Sequence, residues 1–260
     1  MGCVFTMGVD IGSTSSKCVI VKDGKDIIAK SLVSAGTGTS GPERAIRQIL
    51  DDTRFKLGDL SYILATGYGR SSVGIANSEM SELSCHAKGA YYLFPDVHTV
   101  IDIGGQDAKA MRIGSGGMLE SFVMNDKCAA GTGRFLEVMA RILELDVGDL
   151  EKLGAESKNP VSISSTCTVF AESEVISQLA QGSSRSDIIA GIHRSVAGRV
   201  SGLVKRVGVV PSVVMTGGVA QNAGVRRELE KELGVEIFTS PLAQYAGAIG
   251  AALFAYRKAL

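Results

Sequence analysis

The sequence predicts an α/β protein with two similar lobes, because two patterns occur twice in the chain. A strand-turn-strand segment, Gly8–Val21, recurs as Thr99–Met111, with Asp, Ile, Gly and Lys in the same places at one constant offset. The second repeated pattern consists of Ile63–Gly67 and Val213–Gly217, which are both apolar stretches that end in Thr-Gly. Repetition of one supersecondary unit indicates two structurally similar parts of the chain. Two unrelated hairpins that both need tight glycine turns are the alternative.

The composition excludes several classes of protein. The chain has 260 residues, of which 45% are hydrophobic, and its 27 basic and 27 acidic side chains balance. Since no basic cluster forms, neither nucleic acid nor an anionic membrane is expected as the main partner. The longest apolar run, 246–256, is too short to span a bilayer. The cysteines lack the paired spacings of zinc sites and disulfide frameworks, which fits a reducing cytoplasm.

The first hairpin has the features of a phosphate site. Its first strand ends at Asp10, a turn rich in glycine and hydroxyl groups follows, and Lys17 lies in the returning strand. The turn is not a Walker A loop, because that motif has a second glycine before the lysine and opens a helix. Turn amides and hydroxyls can still hold a phosphate while Asp10 holds hydrated Mg²⁺. The candidate phosphate contacts are Gly12, Ser13, Thr14, Ser15 and Lys17.

Helical patterns fill the stretch between the two hairpins. Apolar residues recur at helical spacing in 42–57, and 80–94 reads as a second helix before Pro95, the expected boundary between lobes. Cys85 and His86 are adjacent in that helix and point about 100° apart, so packing is favoured over a thiol–imidazole pair. The other two cysteines of the first lobe, at positions 3 and 18, are interpreted as small apolar fillers.

Two cysteines in the second half of the chain share one context. Cys128 lies in a small-residue loop just before an amphipathic helix, 135–145. Cys167 follows a Ser/Thr-rich strand and precedes another helix, with Thr166 or Thr168 available as its cap. The first-turn amides and the dipole of a helix favour an anionic sulfur at such places. Both cysteines therefore suit a nucleophile or a metal ligand.

Two thiolates are too few for a four-cysteine iron–sulfur site within one chain. If two subunits each offered Cys128 and Cys167 at a two-fold axis, four thiolates would converge on one cluster. A redox disulfide between the two cysteines, a zinc site at the same interface and two unrelated buried thiols are the alternatives. No ligand-spacing motif such as Cys-x-x-Cys decides among them.

The order of these motifs resembles the superfamily of acetate and sugar kinases, heat-shock chaperone ATPases and actin, with two ribonuclease-H-like lobes and a nucleotide cleft between them. The hairpins match its two phosphate motifs, and 213–222 matches its adenosine motif. The resemblance implies ATP, a first lobe at 1–95 joined by a C-terminal helix, 243–258, and a second lobe at 96–242. It makes Asp10, Asp102 and Asp107 candidates to organise Mg²⁺, with Gln106 or an aspartate orienting the attacking water. The implied nucleotide contacts of the second lobe are Gly104, Gly105, Gly217, Gly218 and Asn222.

Four segments carry a narrower resemblance, namely 65–70, 100–107, 125–136 and 164–177. In these segments the chain is similar to the ATP-dependent activators of 2-hydroxyacyl-CoA dehydratases. That family implies an oxygen-sensitive homodimer with one ATP site per subunit. It also implies a single 4Fe–4S cluster that bridges the dimer, held by Cys128 and Cys167.

The same resemblance implies a function and its partners. Reduced ferredoxin or flavodoxin supplies an electron, and ATP hydrolysis drives its transfer to the dehydratase, whose expected substrate is 2-hydroxyglutaryl-CoA. An activator of benzoyl-CoA reductase is a related alternative. A small-molecule kinase without a cluster and a non-catalytic actin-like assembly protein are the alternatives from other classes.

Overall fold

The computed structural model describes residues 2–164 and 167–260, and the chain divides into two compact units. Unit 1 comprises Met1–Val97, Ile113–Glu120 and Leu242–Leu260, and unit 2 comprises His98–Arg112 and Ser121–Pro241. The short segment Ile113–Glu120 thus groups with unit 1, although it lies within the sequence range expected for the second lobe.

Unit 1 is built on a five-stranded sheet in the order β3-β2-β1-β4-β5. Strands β1 to β3 pair antiparallel, whereas β4 and β5 are parallel to β1. The strands are β1 (Phe5–Ile11), β2 (Ser16–Lys22), β3 (Asp26–Val33), β4 (Tyr62–Thr66) and β5 (Ser78–Glu79). The helices are α1 (Gly41–Thr53), α2 (Glu82–Leu93) and, from the end of the sequence, α8 (Ala246–Ala259).

The sheet of unit 1 buries both of its faces. On one face Met7 and Ile20 pack with Ile49 of α1. On the other face Val19 and Val21 pack with residues of α8. Alternating strand residues point to opposite faces, so a sheet that is covered on both sides reads as a nearly continuous apolar run. The sequence of β1, FTMGVDI, has this character.

Helices α2 and α8 touch backbone to backbone. A Cβ atom added to Gly89 would collide with the carbonyl group of Ala246, and one added to Gly250 would collide with that of Cys85. Because only glycine fits at both places, the two helices approach more closely than side chains normally allow. This contact fixes α8 on unit 1.

Unit 2 repeats the sheet with a different set of helices. Its strand order is β10-β9-β6-β7-β8, with β6 and β7 antiparallel and β9 parallel to β6. The strands are β6 (Thr99–Ile103), β7 (Ala108–Ile113), β8 (Leu119–Asn125), β9 (Val213–Thr216) and β10 (Ile237–Phe238). The helices are α3 (Gly133–Ile142), α4 (Asp149–Gly154), α5 (Thr168–Ala180), α6 (Arg185–Val207) and α7 (Ala223–Leu233).

The predicted repeat is confirmed in the backbone. Asp10 lies opposite Lys17 on β2 and opposite Thr66 on β4. Its counterpart Asp102 lies opposite Lys109 on β7 and Thr216 on β9. The turns that follow both hairpins also agree, since Gly24 and Gly116, which align at the same offset, have φ angles of 66° and 67°. The two-lobed fold class is therefore correct.

The structure adds six strands and α-helices to those expected, namely β3, β5, β8, β10, α4 and α7. No helix in the described part of the chain combines the length and the apolar character that crossing a bilayer requires.

Candidate functional site

In unit 1 the predicted phosphate contacts lie together at the tip of the first hairpin. The Gly12 amide donates to the Ser15 carbonyl oxygen at 3.0 Å and closes the turn, and residues 12–15 are partly exposed. Beneath the turn, Asp10 is only 2% exposed, and its Oδ2 is 3.2 Å from Nζ of Lys17. The turn therefore presents amides and hydroxyls beside a buried ion pair, as an anion site requires.

Unit 2 has the same closed turn with a denser set of charges. The Gly104 amide donates to the Asp107 carbonyl oxygen at 2.9 Å. Lys109, which is 2% exposed, has its Nζ 3.4 Å from Oδ2 of Asp102 and 2.7 Å from Oδ2 of Asp107. Asp102 also accepts a 2.8 Å hydrogen bond from the Thr216 hydroxyl. One buried ammonium thus joins two of the predicted catalytic carboxylates.

Each aspartate has a glycine pressed against it at the end of the neighbouring parallel strand. Gly67 and Gly217 have φ angles of 87° and 84°. A Cβ atom would lie 2.5 Å from Asp10 Oδ1 in the first case and 3.0 Å from Asp102 Oδ1 in the second. The repeated Thr-Gly pair thus marks the two places where only glycine fits beside a buried carboxylate.

The residues of the predicted adenosine motif lie where β9 ends and α7 begins. Gly217 is followed by a 3₁₀ turn, Gly218–Gln221. Asn222 caps α7, since its Oδ1 accepts a 3.0 Å hydrogen bond from the Val225 amide. Because that oxygen is already used, a contact from Asn222 to a nucleotide would fall to its amide nitrogen.

The turn chemistry fits a nucleotide phosphate with Mg²⁺. Carboxylate oxygens are the ligands that Mg²⁺ prefers, and each unit offers its own, unit 1 at Asp10 and unit 2 at Asp102 and Asp107. A Cβ atom at Gly104 would lie 2.5 Å from Asp107 Oδ1, so the cradle exists only with glycine there. Gln106 is exposed at the tip of its turn, where its amide group can orient a water molecule.

The Cys128 loop is held by a side chain that precedes it. The Asn125 amide nitrogen donates to the carbonyl oxygens of Cys128 at 2.8 Å and of Ala130 at 3.3 Å. The Thr132 hydroxyl donates to the Ala129 carbonyl oxygen at 2.7 Å. The loop is therefore shaped by side-chain hydrogen bonds on both sides of the cysteine.

The expectation that the first-turn amides of α3 favour an anionic sulfur at Cys128 is wrong. Helix α3 begins only at Gly133, so Cys128 lies outside its first turn. The amides of Gly133 and Arg134 donate instead to the carbonyl oxygens of Gly104 and Gly105, at 2.9 and 2.8 Å. The phosphate turn of unit 2 thus occupies the free amides of the helix that follows Cys128.

Cys167 does lie at a helix start. It is the N-cap residue of α5, with extended backbone angles of φ −149° and ψ 137°, and no side chain of the described residues caps this helix. Thr168 is the first helical residue and not the expected cap, and Thr166, the other candidate, lies outside the described residues. The open amides of the first turn are therefore available to a sulfur at Cys167.

The strand expected before Cys167 is wrong for 161–164, which have no regular secondary structure, and this segment is anchored instead at Ser164. Its amide donates to the Glu174 carboxylate at 2.5 Å, and its carbonyl oxygen accepts a 3.0 Å hydrogen bond from Ser195 of α6. Glu174 belongs to α5 itself, so the helix holds the chain that leads into its own N-terminus.

The chemistry of the two loop cysteines fits iron–sulfur ligation. Both are half-buried free thiols, and α3 and α5, which follow them, pack against each other. Sulfur ligands of this kind suit iron–sulfur clusters. Beside Cys167, α5 exposes 65% of Val169, 63% of Phe170 and 53% of Ile176, an apolar surface of the kind that a second chain covers.

The other three cysteines differ among themselves. Burial raises the pKa of Cys18 and of Cys85 to about 12, which keeps both thiols protonated. The filler interpretation is thus confirmed for Cys18. It is wrong for Cys3, which is exposed. Cys85 and His86 are both buried in α2, with His86 Nδ1 3.3 Å from the Glu82 carbonyl oxygen, as the packing interpretation expects.

Four residues of the site were not singled out by the sequence. The sequence could have identified Thr216 and Lys109, because both belong to repeated segments. No sequence feature reveals the roles of Asn125 and Glu174, since their partners are main-chain atoms whose positions depend on the fold.

The comparisons with known proteins agree with this geometry. Residues 7–255 match the model of the BadF/BadG/BcrA/BcrD ATPase family. The (R)-2-hydroxyglutaryl-CoA dehydratase activating ATPase of Acidaminococcus fermentans is 66% identical over 257 residues, which is 98% of each chain. The crystal structure of component A of that organism's dehydratase matches with a TM-score of 0.96 over 98% of this chain and 99% of that one.

Two further proteins place the chain more broadly. The 2-hydroxyisocaproyl-CoA dehydratase activator of Clostridioides difficile is 53% identical over 98% of this chain and 96% of its own. A solved structure of that activator with bound ADPNP matches with a TM-score of 0.96 over 98% of this chain and 96% of that one. A ROK family glucokinase of Streptomyces griseus, 17% identical, matches with a TM-score of 0.59 over 97% of this chain and 99% of its own, which shows the fold alone.

Proposed function

The chain belongs to the BadF/BadG/BcrA/BcrD ATPase family, and we propose that it is an ATP-hydrolysing activator that passes one electron to a 2-hydroxyacyl-CoA dehydratase. The identity of 66% to an activating ATPase for the (R)-2-hydroxyglutaryl-CoA enzyme supports that acyl-CoA as the partner's substrate. The free thiols are consistent with a cytoplasmic location.

One observation carries the proposal. The helix that follows Cys128 is hydrogen-bonded through Gly133 and Arg134 to the carbonyl oxygens of the phosphate turn. A change at that turn therefore acts directly on the start of α3. An ATPase that must move an electron carrier needs such a connection between its phosphate contacts and its cysteines.

The turn residues perform the ATP chemistry. Asp10, Asp102 and Asp107 organise Mg²⁺, and the amides and hydroxyls of both turns hold the phosphates. Lys109 shares its charge between two carboxylates and keeps them in place. Gln106 or one of the aspartates orients the attacking water, since phosphoryl transfer depends mainly on positioning and on neutralising charge. The residues from Gly217 to Asn222 contact the adenosine.

The cysteines define the electron-transfer side. Cys128 and Cys167 of two subunits hold one 4Fe–4S cluster, which when bound supplies a carrier for a single electron. Asn125 and Glu174 position the two loops. The apolar surface of α5 next to Cys167 supports a homodimer, because a lone chain would leave it exposed. Reduced ferredoxin or flavodoxin is the proposed donor.

Anaerobic purification followed by iron and acid-labile sulfide analysis tests the proposal. We expect about four irons per dimer, as four thiolates would hold, and ATP-dependent activation of a purified 2-hydroxyglutaryl-CoA dehydratase. A colourless protein whose ATP turnover needs an added phosphate acceptor would instead be a kinase, and the proposal would fail.

A further inference from the structure

A polar groove on unit 2 lies outside the phosphate turns and the cysteine loops. It has a volume of about 490 Å³ and runs between the C-terminal end of α4, the middle of α6 and the length of α7. None of the residues of the phosphate turns and neither of the loop cysteines lines it. The groove is within the size range of small-molecule sites.

The charges along the groove are unbalanced. Four cationic side chains line it, at Lys158, Arg194, Arg227 and Lys231, against one carboxylate, Glu228. Glu228 is engaged twice, 3.3 Å from Arg194 and 2.6 Å from Lys231. Within the described residues, Arg227 and the ammonium group of Lys158 have no carboxylate partner. The groove therefore presents two cations that form no ion pair with a carboxylate of the described residues.

His193 is the second feature that points to a ligand. It lines the groove, is 2% exposed, and its buried Nε2 has no hydrogen-bond partner among the described residues. Its ring is held in place, since a Cβ at Gly154 would lie 2.9 Å from Cε1 and one at Gly224 would collide with the same edge. A buried polar ring without a partner is costly.

The protonation state of His193 suits an anionic ligand. Burial, reinforced by the charge of Arg227, lowers the pKa of this imidazole from 6.5 to about 4. At neutral pH the ring is uncharged and carries one N–H group. That group can donate to an anion, which would also offset the charge of Arg227.

We propose that this groove is a binding site for a phosphate group, free or as a phosphomonoester, contacted by Arg227, Lys158 and His193. Guanidinium and ammonium groups beside a neutral donor are the usual partners of phosphate oxygens. The site is separate from the phosphate turns, although Asn222 of the adenosine motif lies next to its Gly224 end, and it does not depend on the proposed electron transfer.

Calorimetry on the full chain, purified anaerobically in a phosphate-free buffer with saturating Mg²⁺–ADP, tests the site. We expect saturable binding of orthophosphate at one site per chain. Arg227→Gln should weaken it by about tenfold, which corresponds to the loss of one charge-assisted hydrogen bond. Lys205→Gln is the matched control, because Lys205 lies on α6 beside Glu232 and outside the groove; its affinity should equal that of the wild type.

Glycerol 3-phosphate serves as the second probe. Tighter binding than orthophosphate identifies a phosphomonoester as the occupant, and equal binding identifies free phosphate. In parallel, the His193 imidazole resonance should shift on titration with orthophosphate, and the pKa of His193 should rise. Absence of saturable binding, or equal losses in Arg227→Gln and Lys205→Gln, would overturn the proposal.

Discussion

Thr216 donates its hydroxyl hydrogen bond to Oδ1 of Asp102 over 2.8 Å. Thr66, which holds the equivalent register position beside Asp10, donates instead to the carbonyl oxygen of Met80 over 3.1 Å. In the described part of the chain the threonine contact at Asp102 thus has no counterpart at Asp10. The two halves of the repeat therefore hold their buried aspartates differently.

This difference predicts unequal effects of one substitution. Thr216→Val keeps the shape of the side chain but leaves a buried carboxylate oxygen without its donor, so ATP hydrolysis should fall by about 10- to 100-fold. Thr66→Val, the matched change at the repeat, should reduce turnover much less. The measurement is steady-state phosphate release. Equal losses in the two variants would show that the Asp102 contact has no special role.

Substitution of Cys128 or Cys167 should lower the iron content, whereas substitution of the exposed Cys3 should not. Cys128→Ser and Cys167→Ser should each lose most of the iron, because a hydroxyl is a poor replacement for a thiolate ligand. Cys3→Ser should keep the wild-type iron content. Iron and sulfide per chain are measured after anaerobic purification. If Cys128→Ser keeps both the cluster and full dehydratase activation, the ligand assignment fails.

Asn125 should control how firmly the cluster is held. Asn125→Ala removes both side-chain hydrogen bonds to the Cys128 loop, so iron should be lost to a chelator several-fold faster, as expected when a supporting contact around a metal ligand is removed. Asn125→Asp cannot donate to the same carbonyl oxygens and should behave alike. Glu137→Gln, which changes only an exposed ion pair on α3, is the control.

Gly133 offers a test of coupling between ATP and the cysteines. Gly133→Pro replaces the N–H group that bonds to Gly104 with a ring carbon, which breaks this hydrogen bond and pushes α3 away from the Gly104 carbonyl oxygen. Thr132 before it is already extended, as a residue before proline must be. Gly133→Ala adds a Cβ at the same point but keeps the N–H group.

With Gly133→Pro we expect iron content close to that of Gly133→Ala, with several-fold fewer electrons transferred per ATP hydrolysed. The ratio is measured with a dehydratase or an artificial acceptor. Identical ratios in the two variants would contradict a role for the hydrogen bond to Gly104.

The lowered pKa of the His193 imidazole leads to a prediction of how the free energy of unfolding changes with pH. The unfolded chain binds a proton at this imidazole below its ordinary pKa of 6.5, whereas the folded chain does so only near 4. Falling pH therefore favours unfolding within that window, by up to about 3 kcal/mol. His193→Gln should lose this component between pH 7 and pH 5, and His98→Gln should keep it. Urea unfolding in phosphate-free buffer measures both.

The features that the sequence predicts are those with local causes. A hairpin with a tight glycine turn is determined by neighbouring residues, so Asp10, Lys17 and their repeat could be located before the structure. The two strands that end in Thr-Gly could also be located from their local sequence pattern. Position at a helix start could be inferred for Cys167, because its helix begins directly after it.

The features that the sequence does not predict depend on distant partners. Helix α3 begins at Gly133 because the carbonyl oxygens of Gly104 and Gly105 satisfy its first amides, and nothing in the local pattern shows this. The strand β8 has the burial of an edge strand, largely exposed or half-buried, so it lacks the alternation that marks a strand. The residues that line the groove of unit 2 come from α6, α7, the end of α4 and the loop that follows it.

The glycine contact between α2 and α8 has a consequence for the order of folding during synthesis. The ribosome makes the five strands of unit 1 first, but one face of their sheet is covered by α8, which follows all of unit 2 in the chain. The usual order, in which the first-made domain folds first, is therefore reversed here. Unit 2 can complete its core while the older half of the nascent chain still exposes apolar strands and awaits its last helix.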